Sequence, residues 1–223
     1  MLWICYSESM KAADLKSALK SKPDAHTEAT RIRLHRAISW LSRAENEADD
    51  PDAAFIFLWI AFNAAYAKQF GFESTERETL QSFIGTLVKV DSNKQLNAAV
   101  FKQFTGPIRV LIENKFVFEP FWKALRDHDS SNHWKNQFEA SNKRAFGAVM
   151  ANKTEVVLAI VFERLYVLRN QLVHGGATWH SKVNRPQVSD GTRILGTLVP
   201  IILDLMIAHP ELDFGENLYP VVA

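Results

Sequence analysis

The sequence predicts an all-α protein, a helical bundle with additional helices. Three observations carry that prediction. Glycine and proline are sparse, 9 and 8 of 223 residues. Apolar residues recur at helical spacing through most of the chain, and no alternating strand pattern competes with them. The hydrophobic share, 47%, is enough for a sizeable core. Residues 1–24 are expected to form an N-terminal appendage and residues 25–223 one helical domain without a clear internal boundary.

The elements follow in order. Residues 27–48 interleave Ile32, Ile38 and Leu41 with charged side chains, an amphipathic helix. Asp49-Asp50-Pro51 stops it and starts another, with Asp50 as N-cap and Pro51 at the first helical position. Residues 53–67 are apolar on nearly every side, from Phe55 to Tyr66, which marks a central helix or one shared with a partner. Gly71 closes it, and Thr75-Glu76-Arg77-Glu78 reads as a capping box opening a helix to about Val90. A shorter helix is expected over 93–104. Thr105-Gly106-Pro107 reads as a break, and residues 108–125 as helical with an interruption at Glu119-Pro120. Residues 127–132 are a polar loop, and 136–149 a mostly polar helix. Asn152-Lys153-Thr154 is expected to cap a long apolar helix over 155–174. A loop over 175–187 precedes a last apolar helix capped by Ser189 or Asp190 and ending near His209-Pro210. The aromatic tail, 214–223, is expected to lie on the bundle.

Composition narrows the function classes. A net charge of +1 excludes a grossly basic nucleic-acid binder, though not a local basic cleft. The single cysteine, Cys5, permits neither an intrachain disulfide nor a cysteine-rich zinc site, which fits a reducing compartment. The apolar opening is too short for a signal segment and lacks a basic flank. The apolar run over 199–207, interrupted by Asp204, reads as well short of a membrane span. A cytoplasmic protein with no membrane contact is therefore expected.

The densest chemistry lies in Leu168-Arg169-Asn170-Gln171-Leu172-Val173-His174-Gly175-Gly176. Guanidinium is a permanent forked donor suited to a phosphodiester. Imidazole titrates near neutrality and moves protons. Asn170, one turn before His174, is placed to orient the ring or a ribose hydroxyl. The two glycines end the helix and admit close backbone approach. At about 100° per residue, Glu163, Asn170 and His174 share a face flanked by Val156, Ile160 and Val167. Val161, Leu165, Leu168 and Leu172 form the opposite stripe. Arg169 lies about 140° from His174, so one helix does not aim both at one point. A polar face with an apolar rim points to a contact between two chains that encloses the site.

Arg169-Asn170-x-x-x-His174 followed by glycine, near the end of an apolar helix, resembles the signature of HEPN-domain proteins. Trp59-Ile60-Ala61-Phe62-Asn63-Ala64-Ala65-Tyr66 resembles the aromatic and small-residue helix that precedes it, as in the Apea-like HEPN branch. The resemblance implies a HEPN-like bundle that dimerises with two such motifs across a cleft. It also implies metal-independent RNA cleavage by attack of the ribose 2′-hydroxyl on the adjacent phosphate. Arg169 would then bind phosphate and stabilise the added charge, His174 would transfer protons, and Asn170 would position it. No cofactor or metal is implied. RNA and a second copy of the chain are the expected partners, and a paired antitoxin or regulatory protein would be a separate chain. Some HEPN domains are non-catalytic modules that bind RNA, nucleotide or protein.

Three further residues are expected to contact substrate. Glu163 follows from helix geometry. Trp179 lies just beyond the glycines as a stacking surface. Arg36 belongs to the early basic helix with Arg31, Arg33, His35 and Arg43, whose plainer reading is a solvated face. Asp127-His128-Asp129-Ser130-Ser131-Asn132-His133 offers metal-ligand types without a recognised zinc spacing and reads as a solvated loop. No phosphate-binding glycine–lysine loop, serine-nucleophile elbow or His-Glu-x-x-His pair is present.

Overall fold

The computed structural model describes residues 10–67, 76–182, 184–219 and 221. The ten α-helices among them are α1 (Ala12–Lys20), α2 (Glu28–Glu45), α3 (Pro51–Tyr66), α4 (Glu76–Val90), α5 (Gln95–Ala98), α6 (Thr105–Glu113), α7 (Glu119–Arg126), α8 (His133–Met150), α9 (Thr154–Val173) and α10 (Arg185–Ala208). A π-turn, Ala99–Gln103, joins α5 to α6, and a 3-10 turn, Lys115–Val117, joins α6 to α7. No β-strand occurs among the described residues. The protein is all-α.

The contacts divide the chain into two compact units, Met1–Glu76 with Thr192–Ala223, and Arg77–Gly191. That grouping differs from a split at residue 24. In the first unit α1 packs on α2: Ala12 and Leu15 are buried, and the Ala12 amide donates to Glu45 at 2.9 Å.

The short link between α2 and α3 makes an antiparallel helical hairpin. Thr27 caps α2 by accepting from the Thr30 amide, and Asp50 caps α3 by accepting from the amides of Asp52 and Ala53. Pro51 opens α3, where its missing N–H leaves nothing unsatisfied. Leu34, Ala37, Leu41, Phe55, Leu58, Trp59 and Phe62 are buried, as are Ile194, Leu195, Val199, Ile202, Leu203 and Met206 from α10. Thr192 fixes the position of α10 by donating to the Pro51 carbonyl at 3.0 Å.

The early basic helix is not one solvated face. Arg33 is fully buried. Its Nη1 donates to the carbonyls of Ala65 (3.1 Å) and Ala67 (2.6 Å). Its Nη2 donates to those of Phe214 (3.3 Å), Gly215 (3.1 Å) and Glu216 (3.2 Å). Burial pushes the guanidinium pKa down, and the charges of Glu216 and Asp213 pull it back up. The tail is thereby tied to the helices, as its aromatic composition predicts.

In the second unit α9 runs against α6, α8, the π-turn and the 3-10 turn. Eleven of its twenty residues are buried. Arg164 is among them, its guanidinium 4.5 Å from the Phe118 ring and 5.5 Å from that of Phe138, donating to Ser141 at 3.1 Å. Burial pulls its pKa down to about 10, against the opposing charge of Glu163.

Several boundaries differ from the sequence reading. Thr105-Gly106-Pro107 forms the first turn of α6, because first-turn amides have no intrahelical partner and proline costs nothing there. The interruption comes earlier than Glu119-Pro120, and Pro120 sits in the first turn of α7. Asn152 and Thr154 do not cap α9; both accept from the Asn97 amide. Ser189 and Asp190 lie inside α10, which starts at Arg185. By length and composition α10 is apolar enough to cross a membrane, because Ile194, Leu195 and Leu198 extend the run; 61% of that stretch is buried within the protein. Gly71 and Thr75 lie outside the described residues.

Candidate functional site

The last turns of α9 carry Arg169, Asn170 and Gln171, and His174 is the helix C-cap. The helix stops because Gly175 adopts φ +69°, the left-handed region open to glycine. The Gly176 amide then donates to the Gln171 carbonyl at 2.7 Å and the Gly175 amide to that of Leu172 at 3.2 Å. This pair of bonds is a Schellman closure. A side chain at Gly176 would bring its Cβ to 3.1 Å from the Gln171 carbonyl oxygen, a tight approach that glycine avoids.

The closure uses the backbone of His174, whose amide donates to the Asn170 carbonyl at 3.0 Å. The imidazole itself is exposed and makes no hydrogen bond among the described residues. Arg169 Nη1 donates to Asn170 Oδ1 at 2.9 Å, and no carboxylate among the described residues pairs with it. A half-buried permanent cation and an exposed proton carrier thus lie at the same helix end.

In the second half of α9, Tyr166, Arg169, Asn170 and Val173 form an accessible strip, at the i, i+3, i+4, i+7 positions of one helical face. The face drawn from sequence is revised here. Ile160 and Val167, expected to rim an intermolecular contact, are buried within the chain itself. Glu163 is half-buried and its charge acts on Arg164.

Gln171 has a role that the sequence reading left unassigned. Its Nε2 donates to the Phe116 carbonyl, and its Oε1 accepts from Asn184 at 3.2 Å. The same Phe116 carbonyl accepts from Trp122 Nε1 at 2.7 Å. One side chain therefore ties the helix end to the turn before α7 and to the loop after the glycines. The density of aromatic residues from Phe116 to Trp122 was the signal available for this neighbourhood.

The remaining candidates fall elsewhere. Trp179 is 71% exposed, with its ring centroid 4.1 Å from that of His180 in an edge-on arrangement. Arg36 belongs to the other compact unit, where its Nη1 donates to the Tyr219 carbonyl at 2.6 Å. In the loop 127–132, Asp129 accepts from the Ser131 amide, and hydrogen bonds from Ser131 hold its carboxyl below the usual range. No group of three or more His, Cys, Asp and Glu side chains suited to a metal occurs among the described residues. A cavity of about 410 Å³ lies between the π-turn, α6 and α8, but its only titratable lining residues, Arg109 and Glu113, pair with each other at 3.4 Å.

No family model matches the chain, and neither the curated proteins nor the solved structures contain a significant match to it.

Proposed function

We propose that the protein is a metal-independent endoribonuclease of HEPN type, working as a homodimer whose two Arg169-Asn170-x-x-x-His174 motifs share one cleft. The observation that carries this reading is an Arg169 free of any carboxylate and an exposed His174 at the same helix end. Among the described residues Arg33 and Arg164 also lack a paired carboxylate but are buried, whereas Arg169 is only half-buried, so its guanidinium stays within reach of an anion. Arg169 has only a neutral amide oxygen, which orients the fork without cancelling its charge.

The chemistry follows from these groups. Arg169 binds the phosphodiester and offsets the charge that builds up as the ribose 2′-oxygen attacks phosphorus. His174 exchanges the proton of the attacking hydroxyl or of the leaving 5′-oxygen. The products are a 2′,3′-cyclic phosphate and a 5′-hydroxyl. Tyr166 and Val173, exposed beside Arg169 and Asn170 on α9, are the face that a second copy would cover. A setting in defence or stress response comes from the family resemblance.

Incubation of the purified protein with mixed RNA in EDTA tests the reading. Cleavage with cyclic-phosphate ends in the wild type, lost in Arg169→Ala and His174→Ala, is the expected result. Equal decay in all three overturns it. RNA binding without cleavage in the wild type would favour a non-catalytic binding module.

A further inference from the structure

The second unit carries an aromatic surface that neither the core nor the proton chemistry uses. Phe116, Phe121, Trp122 and Trp134 form a chain of ring contacts. Centroids are 5.5 Å apart for Phe116–Phe121, 5.2 Å for Phe121–Trp122 and 5.0 Å for Phe121–Trp134. Phe116 is 47% exposed and the other three rings are half-buried. Phe55, Phe62 and Phe162, by contrast, are fully enclosed. Four adjoining rings that all keep some surface in water form a patch of the kind that a partner covers.

The charge around the rings is selective. Lys115 Nζ lies 5.2 Å from the Phe116 centroid and 5.6 Å from that of Phe121, and Lys135 Nζ lies 6.0 Å from that of Trp134. Lys123 is exposed in the last turn of α7. Two of the acidic neighbours are occupied, Glu119 by Arg126 at 2.7 Å and Glu113 by Arg109. Lysines interleaved with accessible rings match a chain that alternates anionic phosphates with flat bases. The platform also connects to the proposed catalytic helix, because Gln171 donates to the Phe116 carbonyl directly after Arg169 and Asn170.

We infer that Lys115, Phe116, Phe121, Trp122 and Trp134 form a stacking platform that holds unpaired bases of single-stranded RNA beside the Arg169–His174 helix end. The inference rests on the ribonuclease reading and adds its substrate class. A duplex keeps its base faces stacked internally and cannot use such a platform.

The test measures fluorescence anisotropy of a labelled 2′-O-methyl oligoadenylate, which cannot be cleaved through a 2′-hydroxyl, alone and annealed to its complement. The wild type is expected to prefer the single strand. Phe116→Ala weakens that binding by about tenfold, the loss of one stacked base. Phe116→Tyr retains it. Lys115→Ala, at an exposed position that does not threaten folding, lowers the slope of binding against salt by about 0.7. Equal affinity for strand and duplex, no binding, or unchanged binding by Phe116→Ala and Lys115→Ala overturns the platform. Cleavage by Arg169→Ala and His174→Ala, measured separately, distinguishes the two readings. If those variants still cut while Phe116→Ala binds weakly, only the catalytic reading falls. If they are dead while Phe116→Ala binds normally, only the platform falls.

Discussion

Arg169 spends one of its five N–H groups on its own chain neighbour, the Asn170 amide oxygen 2.9 Å away. The contact fixes the direction of the guanidinium without neutralising it. Position 170 therefore controls the charge available at the helix end.

Asn170→Asp converts this orienting bond into an ion pair and leaves Arg169 electrostatically spent. Cleavage is expected to fall by about a hundredfold, comparable to loss of a charge-stabilising donor. Asn170→Ala removes the orientation but keeps the charge, and should cost about tenfold. Single-turnover rates on one RNA at fixed pH check the order. An alanine variant slower than the aspartate variant contradicts it.

Gly175 and Gly176 set the geometry of the helix end in different ways. Gly175→Ala puts a side chain at φ +69° and should cost about 1 kcal/mol in urea unfolding, while Gly175→Asn costs less because asparagine tolerates that region. Gly176→Ala pushes a Cβ against the Gln171 carbonyl oxygen at 3.1 Å and should be destabilising although its φ is ordinary.

Arg33 holds the tail through carbonyls on both sides of its fork. Arg33→Lys keeps the charge but cannot span Ala65, Ala67 and the Phe214–Glu216 carbonyls together. A loss of about 3 kcal/mol is expected, from leaving a buried charge underpaired. Amide hydrogen exchange should rise first around residues 214–217.

Arg164 gives a pH signature. Its folded pKa is lowered to about 10, so the charged form is disfavoured by folding. Below that pH both states are protonated and the cost is full. From about pH 10 up to the unfolded value, the unfolded state holds more protons, so stability contributed by this site rises with pH. Arg164→Met, which fits between Phe118 and Phe138, should be more stable than wild type by about 1 kcal/mol at pH 7. That advantage should shrink between pH 9 and pH 11. Paired denaturant curves across that range check the slope; a constant difference refutes it.

The helices were legible because their signals are local. Asp50-Pro51 acts as the sequence predicts, since capping needs only neighbouring amides. The break expected at Thr105-Gly106-Pro107 and the cap expected at Ser189 or Asp190 do not occur, because proline and serine mean different things inside a first turn and before it. Arg33 could not be assigned from sequence: its partners lie about thirty and about one hundred and eighty residues away, and all are carbonyls, which leave no compositional trace. The site residues were visible as a spacing, but Gln171 was not, because its meaning depends on the Phe116 carbonyl arriving from a distant turn.

His174 is anchored by main-chain hydrogen bonds, its amide on Asn170 and the two following glycines folding back on the helix, while its ring is exposed and makes no hydrogen bond among the described residues. The imidazole is thus a detachable tool in a holder that does not need it. Any side chain tolerated at an exposed C-cap can be inserted without altering the holder. Small imidazoles added to the solvent have an open route to the space that His174→Gly would vacate, so position 174 is a place where chemistry can be exchanged while architecture stays constant.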